Sequence, residues 1–468
     1  MTRQTLGLLL VLFTASCDTS SFRDCAIACT AQTGCPDGLS CGTEGFCRNG
    51  ATATSCNAVR DAKEDVDAPD ASCVCSTTET LSCNSGQTSC ALGCVADAVA
   101  HCAKVTPSNG IPLDELDELD RDITIDGIAT FDTDSGAITG AVTRSAGAGV
   151  RDDIGFAKIG AVGVFTLHAL TVSPFGEIRF TGDSAAAFVV ETIATIEGDI
   201  DASAGCYGTA SNCAGPGGGV GADTSLAGGC GPGENGVPAD ISSDPGGGGG
   251  GSRRAGAAGG ADTLSTAASG GIACMSVMVE PLIGGSGGGI GSPGSGTAPA
   301  PGGGGGGGFQ LTALEKIVIN GVIDVGGAGG SGGPPLAGTG DRGGGGGAGG
   351  GAGGAVLLEA PTVIIDGIVA ANGGGGGGAA NNTMPGTDGA DGTRTTTPAA
   401  GGATAYGNGG NGGAGTTLPT AGTVISTSVN GGGGGGGTGA IFVRTIDPPT
   451  FTGAVFSPPV GTGALRTQ

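Results

Sequence analysis

Four stretches of the chain repeat one phrase, in which apolar residues alternate, a glycine interrupts, and alternation resumes. They read Ile193-Ala194-Thr195-Ile196-Glu197-Gly198-Asp199-Ile200-Asp201-Ala202, Ile317-Val318-Ile319-Asn320-Gly321-Val322-Ile323-Asp324-Val325-Gly326, Val363-Ile364-Ile365-Asp366-Gly367-Ile368-Val369-Ala370-Ala371-Asn372 and, more weakly, Thr450-Phe451-Thr452-Gly453-Ala454-Val455-Phe456. Aligned on the glycine, the position two before is Ile196, Ile319, Ile365 and Phe451, and the position two after is Ile200, Ile323, Val369 and Val455. Such alternation marks strands with one buried face, and its recurrence marks coils that bury one apolar row against the next. The expected fold class is mainly β: a parallel, β-helix-like solenoid with long glycine-rich loops, preceded by small disulfide-rich modules.

The phrase survives very unequal insertions, from Cys206 to Gly308, from Gly326 to Gly354 and from Gly373 to about Gly439. A solenoid tolerates this because insertions leave from coil corners. Further strand signals lie at Asp122–Asp126, Ala137–Gly140, Val162–Val172, Glu177–Phe180 and Ala187–Val190, which taken alone also suit an antiparallel sandwich. The acidic run Leu113–Asp120 reads as a solvated turn or helix leading into them. With no Trp and 3% aromatic residues in 468, the core is expected to close around Val, Ile, Leu and Ala without bulky wedges.

Glycine supplies 107 residues, in runs such as Gly302–Gly308, Gly373–Gly378 and Gly431–Gly437. It has no side chain to bury and loses the most backbone entropy on folding, so these runs form loops or extended backbone. Gly326–Pro334 and Gly407–Gly415 carry glycine in a three-residue rhythm, the period of the extended left-handed helix. Ordered polyglycine-II-like strands and flexible loops both fit.

Arg3, the apolar run Leu6–Phe13 and Thr14-Ala15-Ser16-Cys17 make a secretory leader too short to span a bilayer. Its end resembles a bacterial lipobox: Ala15, Ser16 and Cys17 match, while Thr14 stands where leucine is usual. The resemblance implies that Cys17 is acylated and becomes the mature N-terminus, tethering the chain to a membrane. Asp18 holds the position that enteric bacteria read for inner-membrane retention, so inner membrane, outer membrane and cell surface stay open as destinations.

Of 17 cysteines, setting Cys17 aside leaves an even number, as an oxidising compartment favours. Cys25, Cys29, Cys35, Cys41, Cys47 and Cys56 form one set of six; Cys73, Cys75, Cys83, Cys90, Cys94 and Cys102 form another. Neither has apolar residues enough for its own core, so disulfides must staple both. Cys35–Cys41 with Gly45-Phe46-Cys47-Arg48 is similar to the short extracellular modules of EGF-like type, which implies a disulfide-bonded, two-stranded, surface-exposed unit. Zinc is the weaker reading of Cys73-Val-Cys75, Cys90–Cys94 and His101. Cys206, Cys213, Cys230 and Cys274 make a third even group, with Cys206 and Cys213 the nearest pair in sequence.

The domain reading is a signal peptide (1–16), a lipidated tether (17–24), two modules (25–56 and 73–105) around an acidic linker (57–72), a first solenoid segment (106–205), a Cys-containing glycine-rich insertion (206–308), a second solenoid segment (309–461) and a tail (462–468). In composition the Gly/Ala tracts resemble repeats of certain mycobacterial surface proteins. The whole layout resembles predicted Cys-rich, Gly-rich surface lipoproteins of Gram-negative soil bacteria, a group without assigned biochemistry.

Little in the chain points to catalysis. Its histidines are His101 and His168, the second on an apolar strand, and neither a nucleophile elbow, an HExxH motif nor a P-loop is present. A net charge of −24 disfavours nucleic acid, and no nucleotide motif is present. Stacking would align Glu197, Asn320 and Asp366 in one row and Asp201 and Asp324 in another, and such ladders could hold calcium through Asp201, Asp324 and Asp366. The expected protein is a non-enzymatic envelope lipoprotein with a structural or adhesive role, requiring no cofactor and meeting extracellular polysaccharide or other surface proteins. The alternative is a carbohydrate-active β-helix enzyme or a calcium-dependent polysaccharide-binding protein.

Overall fold

A computed structural model describes residues 39–41, 47–49 and 73–468, apart from 84–85, 91, 97–99, 114–118, 206–212, 239–243, 262–264, 295–296, 336–343, 382 and 426–429. The leader with Cys17, the cysteines Cys25, Cys29, Cys35, Cys56 and Cys206, the linker and most of the acidic run lie outside the described residues. The chain divides into a unit ending at Cys73 and a unit from Val74 to Gln468. In the first, Leu39–Cys41 and Cys47–Asn49 form an antiparallel hairpin with Cys41 opposite Cys47.

The second unit is built on a parallel β-helix of three faces. Each coil runs through face A, turns onto face B, and turns again at the phrase's glycine onto face C. The five coils are Val162–Leu167, Ala169–Val172 and Glu177–Thr181; Ala185–Val190, Ile193–Ile196 and Asp199–Asp201; Gly308–Ala313, Lys316–Ile319 and Val322–Asp324; Ala355–Glu359, Thr362–Ile365 and Ile368–Ala370; Ala440–Thr445, Thr450–Phe451 and Val455–Ser457. The stretch Val162–Val172 is therefore two strands that bend at His168, and the antiparallel sandwich is set aside.

The aligned rows stack as the phrase requires. Ile196 pairs with Ile319 and Ile319 with Ile365, while Ile200 pairs with Ile323 and Ile323 with Val369. All six side chains are fully buried in one interior. The turn glycines are stacked too: the Val322 N–H donates to the Gly198 carbonyl at 3.0 Å and the Ile368 N–H to that of Gly321 at 2.9 Å. A Cβ on Gly321 or Gly367 would collide with the carbonyl of the glycine below, which is why this turn keeps glycine.

The weak fourth phrase departs from the alignment. Phe456, not Val455, pairs with Val369, because an extra residue after Phe451 is absorbed around Gly453 at φ +82°. Phe451 itself is 37% exposed at the last coil and meets Phe456 edge-on at 4.8 Å.

The expectation of a core without wedges is also corrected. Phe165, Phe180, Phe188 and Phe309 of the first three coils are buried together with Phe131, in the strand Ile128–Asp132 stacked beneath the first coil, and Phe156 of the cap strand Ile154–Ile159. Successive centroids are 5.0 Å (Phe131 to Phe165), 5.7 Å (Phe165 to Phe188) and 5.5 Å (Phe188 to Phe309). Such contacts add about 0.5–1.5 kcal/mol per pair beyond area burial.

Face B alternates buried and partly exposed positions and face C does so in its first two coils, but face A is buried on both sides throughout the five coils. Val164, Ala187, Val189 and Leu357 on its outer side lie under Ile111, Leu119, Met275, Val279 and Leu282. The covering segment enters at the end of the last coil, where Lys104 and Gln468 exchange backbone bonds of 2.8 and 3.0 Å and the Thr106 N–H reaches the Arg466 carbonyl at 2.8 Å. Residues 462–464, placed in the tail by sequence, continue face A as part of Gly461–Ala464. At the opposite end, antiparallel strands Ile138–Gly140, Gly149–Arg151 and Ile154–Ile159 close the helix. Buried Arg144 locks this cap by donating to the carbonyls of Gly136, Ser145, Gly147, Gly149 and Ile154.

All three insertions leave the helix at one corner, between face C and face A, and their glycine runs pack together. The chain 345–354 is the centre. Its N–H groups at Gly346, Gly349 and Ala352 donate to Ser292, Gly289 and Ser286; those at Gly347, Gly350 and Gly353 to Gly431, Gly434 and Gly437; those at Ala348, Gly351 and Gly354 to Ser331, Ala328 and Val325. It accepts from Gly247 and Gly250, from Gly303 and Gly306, and from Gly374, Gly377 and Ala380. Six neighbours therefore surround one chain, at 2.8–3.0 Å and in steps of three residues. Three residues per turn send successive N–H groups in three directions, so the extended left-handed helix yields a hexagonal array. The glycine runs are an ordered bundle, and of the two readings left open by the sequence this one holds.

Candidate functional site

The outer side of face C gathers the densest charge on the β-helix. Pleating sets Glu177 over Asp199 in one row and Arg179, Asp201 and Asp324 in the next. Arg179 holds Glu177 through Nε–Oε1 at 2.7 Å and Nη2–Oε2 at 2.9 Å. Arg394, from the third insertion, donates to Asp324 Oδ2 at 2.9 Å and to Asp199 Oδ2 at 2.8 Å. Asp201 accepts from the Ser203 hydroxyl at 2.6 Å. Every carboxylate of the patch is thus engaged, and Arg394 staples two coils to the bundle.

The turn that carries Arg394 is itself fixed. Fully buried Asn372 donates to the carbonyls of Thr393 and Thr395 at 2.6 and 2.7 Å, and accepts from the Ser457 hydroxyl at 2.7 Å. Burial pushes the Asp324 carboxyl up to about 6, against the pull of Arg394. A folded chain that holds a proton more tightly than the unfolded chain loses stability as that proton leaves, here from about pH 4 to about pH 6. Asp324→Asn cannot ionise, so its denaturant midpoint is expected to fall less between about pH 4 and pH 7 than that of the native chain. Equal falls would assign the pH dependence to other groups.

The calcium candidates are not brought together. Asp201 and Asp324 are register partners, but Asp324 is taken by Arg394, and Asp366 lies at the B–C turn, four residues before Ala370, the register partner of Asp324. Among the described residues no group of three or more His, Cys, Asp or Glu side chains is placed to hold a metal ion. Cys75 bonds to Cys94, Cys90 to Cys102 and Cys230 to Cys274, and Cys73, Cys83 and Cys213 are also in disulfides, so the zinc reading is set aside.

His168 sits at the A–B corner rather than inside a strand, with Nδ1 2.8 Å from Asp122 and Nε2 3.8 Å from Glu191. The Asp122 bond raises its pKa. At the capped end, Asp134 accepts from Lys158, Ser184 and the Asp183 N–H, each at 2.7 Å, and Lys158 leads these in holding the carboxyl down at about 2.

A second polar cluster, unforeseen in the sequence, lies under the cover of face A. Fully buried Glu359 accepts from Ser108 Oγ at 2.6 Å and from the Ser108 N–H, Gln310 Nε2 and Thr312 Oγ1 at 2.9–3.0 Å, with Arg444 Nε 3.5 Å away. Arg444 also pairs with Glu280, which Arg466 reaches at 3.0 Å. One signal existed: Thr312, Glu359 and Arg444 hold the same register position on face A. Arg394 had none, since its partners lie 195 and 70 residues away.

Comparison with protein-family models, with curated proteins and with solved structures finds no match to the chain. Among the described residues no helix is long and apolar enough to cross a membrane.

Proposed function

We propose that this chain is a non-enzymatic envelope protein, exported, held to a membrane by acylated Cys17, and structural or adhesive at the cell surface. The observation that carries the reading is the glycine bundle. Three insertions build a hydrogen-bonded block with almost no reactive side chains on a β-helix corner, which suits a rigid presenting body better than a catalytic one. The carboxylates of face C, the nearest approach to an acid–base site, are each engaged by an arginine or a serine. Disulfides at Cys75–Cys94 and Cys90–Cys102 suit an oxidising exterior.

Fractionation of cells producing the native chain and Cys17→Ser, followed by proteolysis of intact cells, tests this. The native chain is expected in the membrane fraction and open to external protease, and the variant to be released. A native chain recovered free of membranes would overturn the anchor. Polysaccharide cleavage that is lost in Asp324→Asn or Asp366→Asn would favour the carbohydrate-active reading instead.

A further inference from the structure

The charge balance singles out one cavity. Among the described arginines, Arg121, Arg179, Arg394, Arg444 and Arg466 each pair with a carboxylate, and Arg144 is spent on backbone carbonyls. Arg151, in the antiparallel cap, has no such partner, and neither have the adjacent Arg253 and Arg254, although the whole chain carries a net charge of −24. Arg253 and Arg254 both line a cavity of about 250 Å³ at the end of face A, between the last coil and the bundle, together with Thr416, Thr417, Thr438 and Phe442. The Arg254 backbone N–H donates to the Thr438 carbonyl at 3.0 Å, which fixes the backbone at Arg254 against the wall. No carboxylate lines the cavity.

We propose that this cavity binds the carboxylate-bearing sugar of an acidic polysaccharide. Two unpaired guanidiniums match a planar carboxylate, with which arginine forms forked hydrogen bonds. Threonine hydroxyls suit ring hydroxyls, and Leu418 and Val277, 59% and 48% exposed at the rim, offer apolar surface to the C–H face of a ring. A bare inorganic anion would use only the first of these features. The volume lies near the lower limit of ligand cavities, about 300 Å³, and so suits a single sugar unit of a longer chain. The inference deepens the adhesive reading by naming a ligand class, and it stands or falls separately from the anchor.

The test is calorimetric titration of the purified full-length protein with galacturonate oligomers, neutral glucose oligomers, poly-glutamate and inorganic sulfate. Binding of the uronate oligomers alone is expected, weakened at least tenfold in Arg253→Ala/Arg254→Ala and weakened in the native protein by 0.5 M salt. The salt arm keeps the test decisive should the double variant fold poorly, and Arg253→Lys/Arg254→Lys, which keeps the charge without the fork, is expected to fall between the two. No uronate binding by the native protein would overturn the proposal. Equal binding of sulfate or poly-glutamate would overturn the sugar assignment, leaving a site for anions in general. Because Cys17 takes no part in the titration, failure here leaves the membrane reading to be judged by fractionation.

Discussion

Replacing Gly351 by alanine is expected to destabilise the protein by about 3 kcal/mol, the upper end of overpacking costs. A Cβ at Gly351 would collide with the carbonyl of Gly304; at Gly350 and Gly349 it would collide with those of Gly374 and Gly248. These three carbonyls belong to the three chains that donate to 345–354, so each successive missing side chain is the space another backbone occupies. Ala348 and Ala352 are accommodated, fully buried, in the same chain, so the demand is local to particular directions. The sign of the effect discriminates. In an extended loop with room around it, Gly→Ala stabilises by about 0.4–1 kcal/mol through the unfolded state. Gly413→Ala, whose Cβ would have the Thr438 methyl at 3.0 Å, the Thr438 backbone nitrogen at 3.2 Å and Pro419 Cδ at 3.3 Å but no atom closer, is expected to cost clearly less than Gly351→Ala. Urea midpoints at unchanged slope are the measurement, and equal, near-zero effects at both positions would refute a packed bundle.

Removing the carboxylate of Glu359 is the second large effect. Glu359→Ala leaves Arg444, 4% exposed, facing one partner instead of two, and deprives Ser108, Gln310 and Thr312 of their shared acceptor. Stripping one member from a buried charged pair costs about 3–5 kcal/mol. The damage is expected to be directional: Ser108 belongs to the segment that covers face A, so that cover should loosen first. Limited proteolysis within residues 105–113 should accelerate in the variant while the coils stay resistant. Unchanged proteolysis together with unchanged stability would show that the cover is held by its apolar contacts alone.

What was legible follows from what each residue type can signal. Face B was readable because one side of each strand is at least partly wet, which writes alternation into Ile193–Ile196, Lys316–Ile319 and Thr362–Ile365. Face A was readable only in its first two coils. Gly308–Ala313, Ala355–Glu359 and Ala440–Thr445 are short, buried on both sides and preceded by glycine, so no alternation marks them. The last phrase misled by one residue because a turn can absorb an insertion that periodicity cannot see. For the bundle, spacing disclosed the helix type but not the neighbours. Glycine offers no side chain by which 345–354 could specify 286–292 over another run, so partner choice rests on where each insertion joins the coils. The charged staples were invisible for the same reason that they matter: Arg394 and Glu359 join segments far apart in sequence.

The central claim is that the glycine insertions form a bundle whose chains hydrogen-bond one another, anchored on a stacked β-helix. Amide hydrogen exchange, resolved to the segment 345–354, tests it most directly. Every N–H from Gly346 to Gly354 is bonded to a neighbouring chain, so exchange is expected to be as slow as that of the hydrogen-bonded coil strands Lys316–Ile319 and Thr362–Ile365. Exchange of that segment at the rate of an unstructured peptide, while the coil strands remain protected, would contradict it.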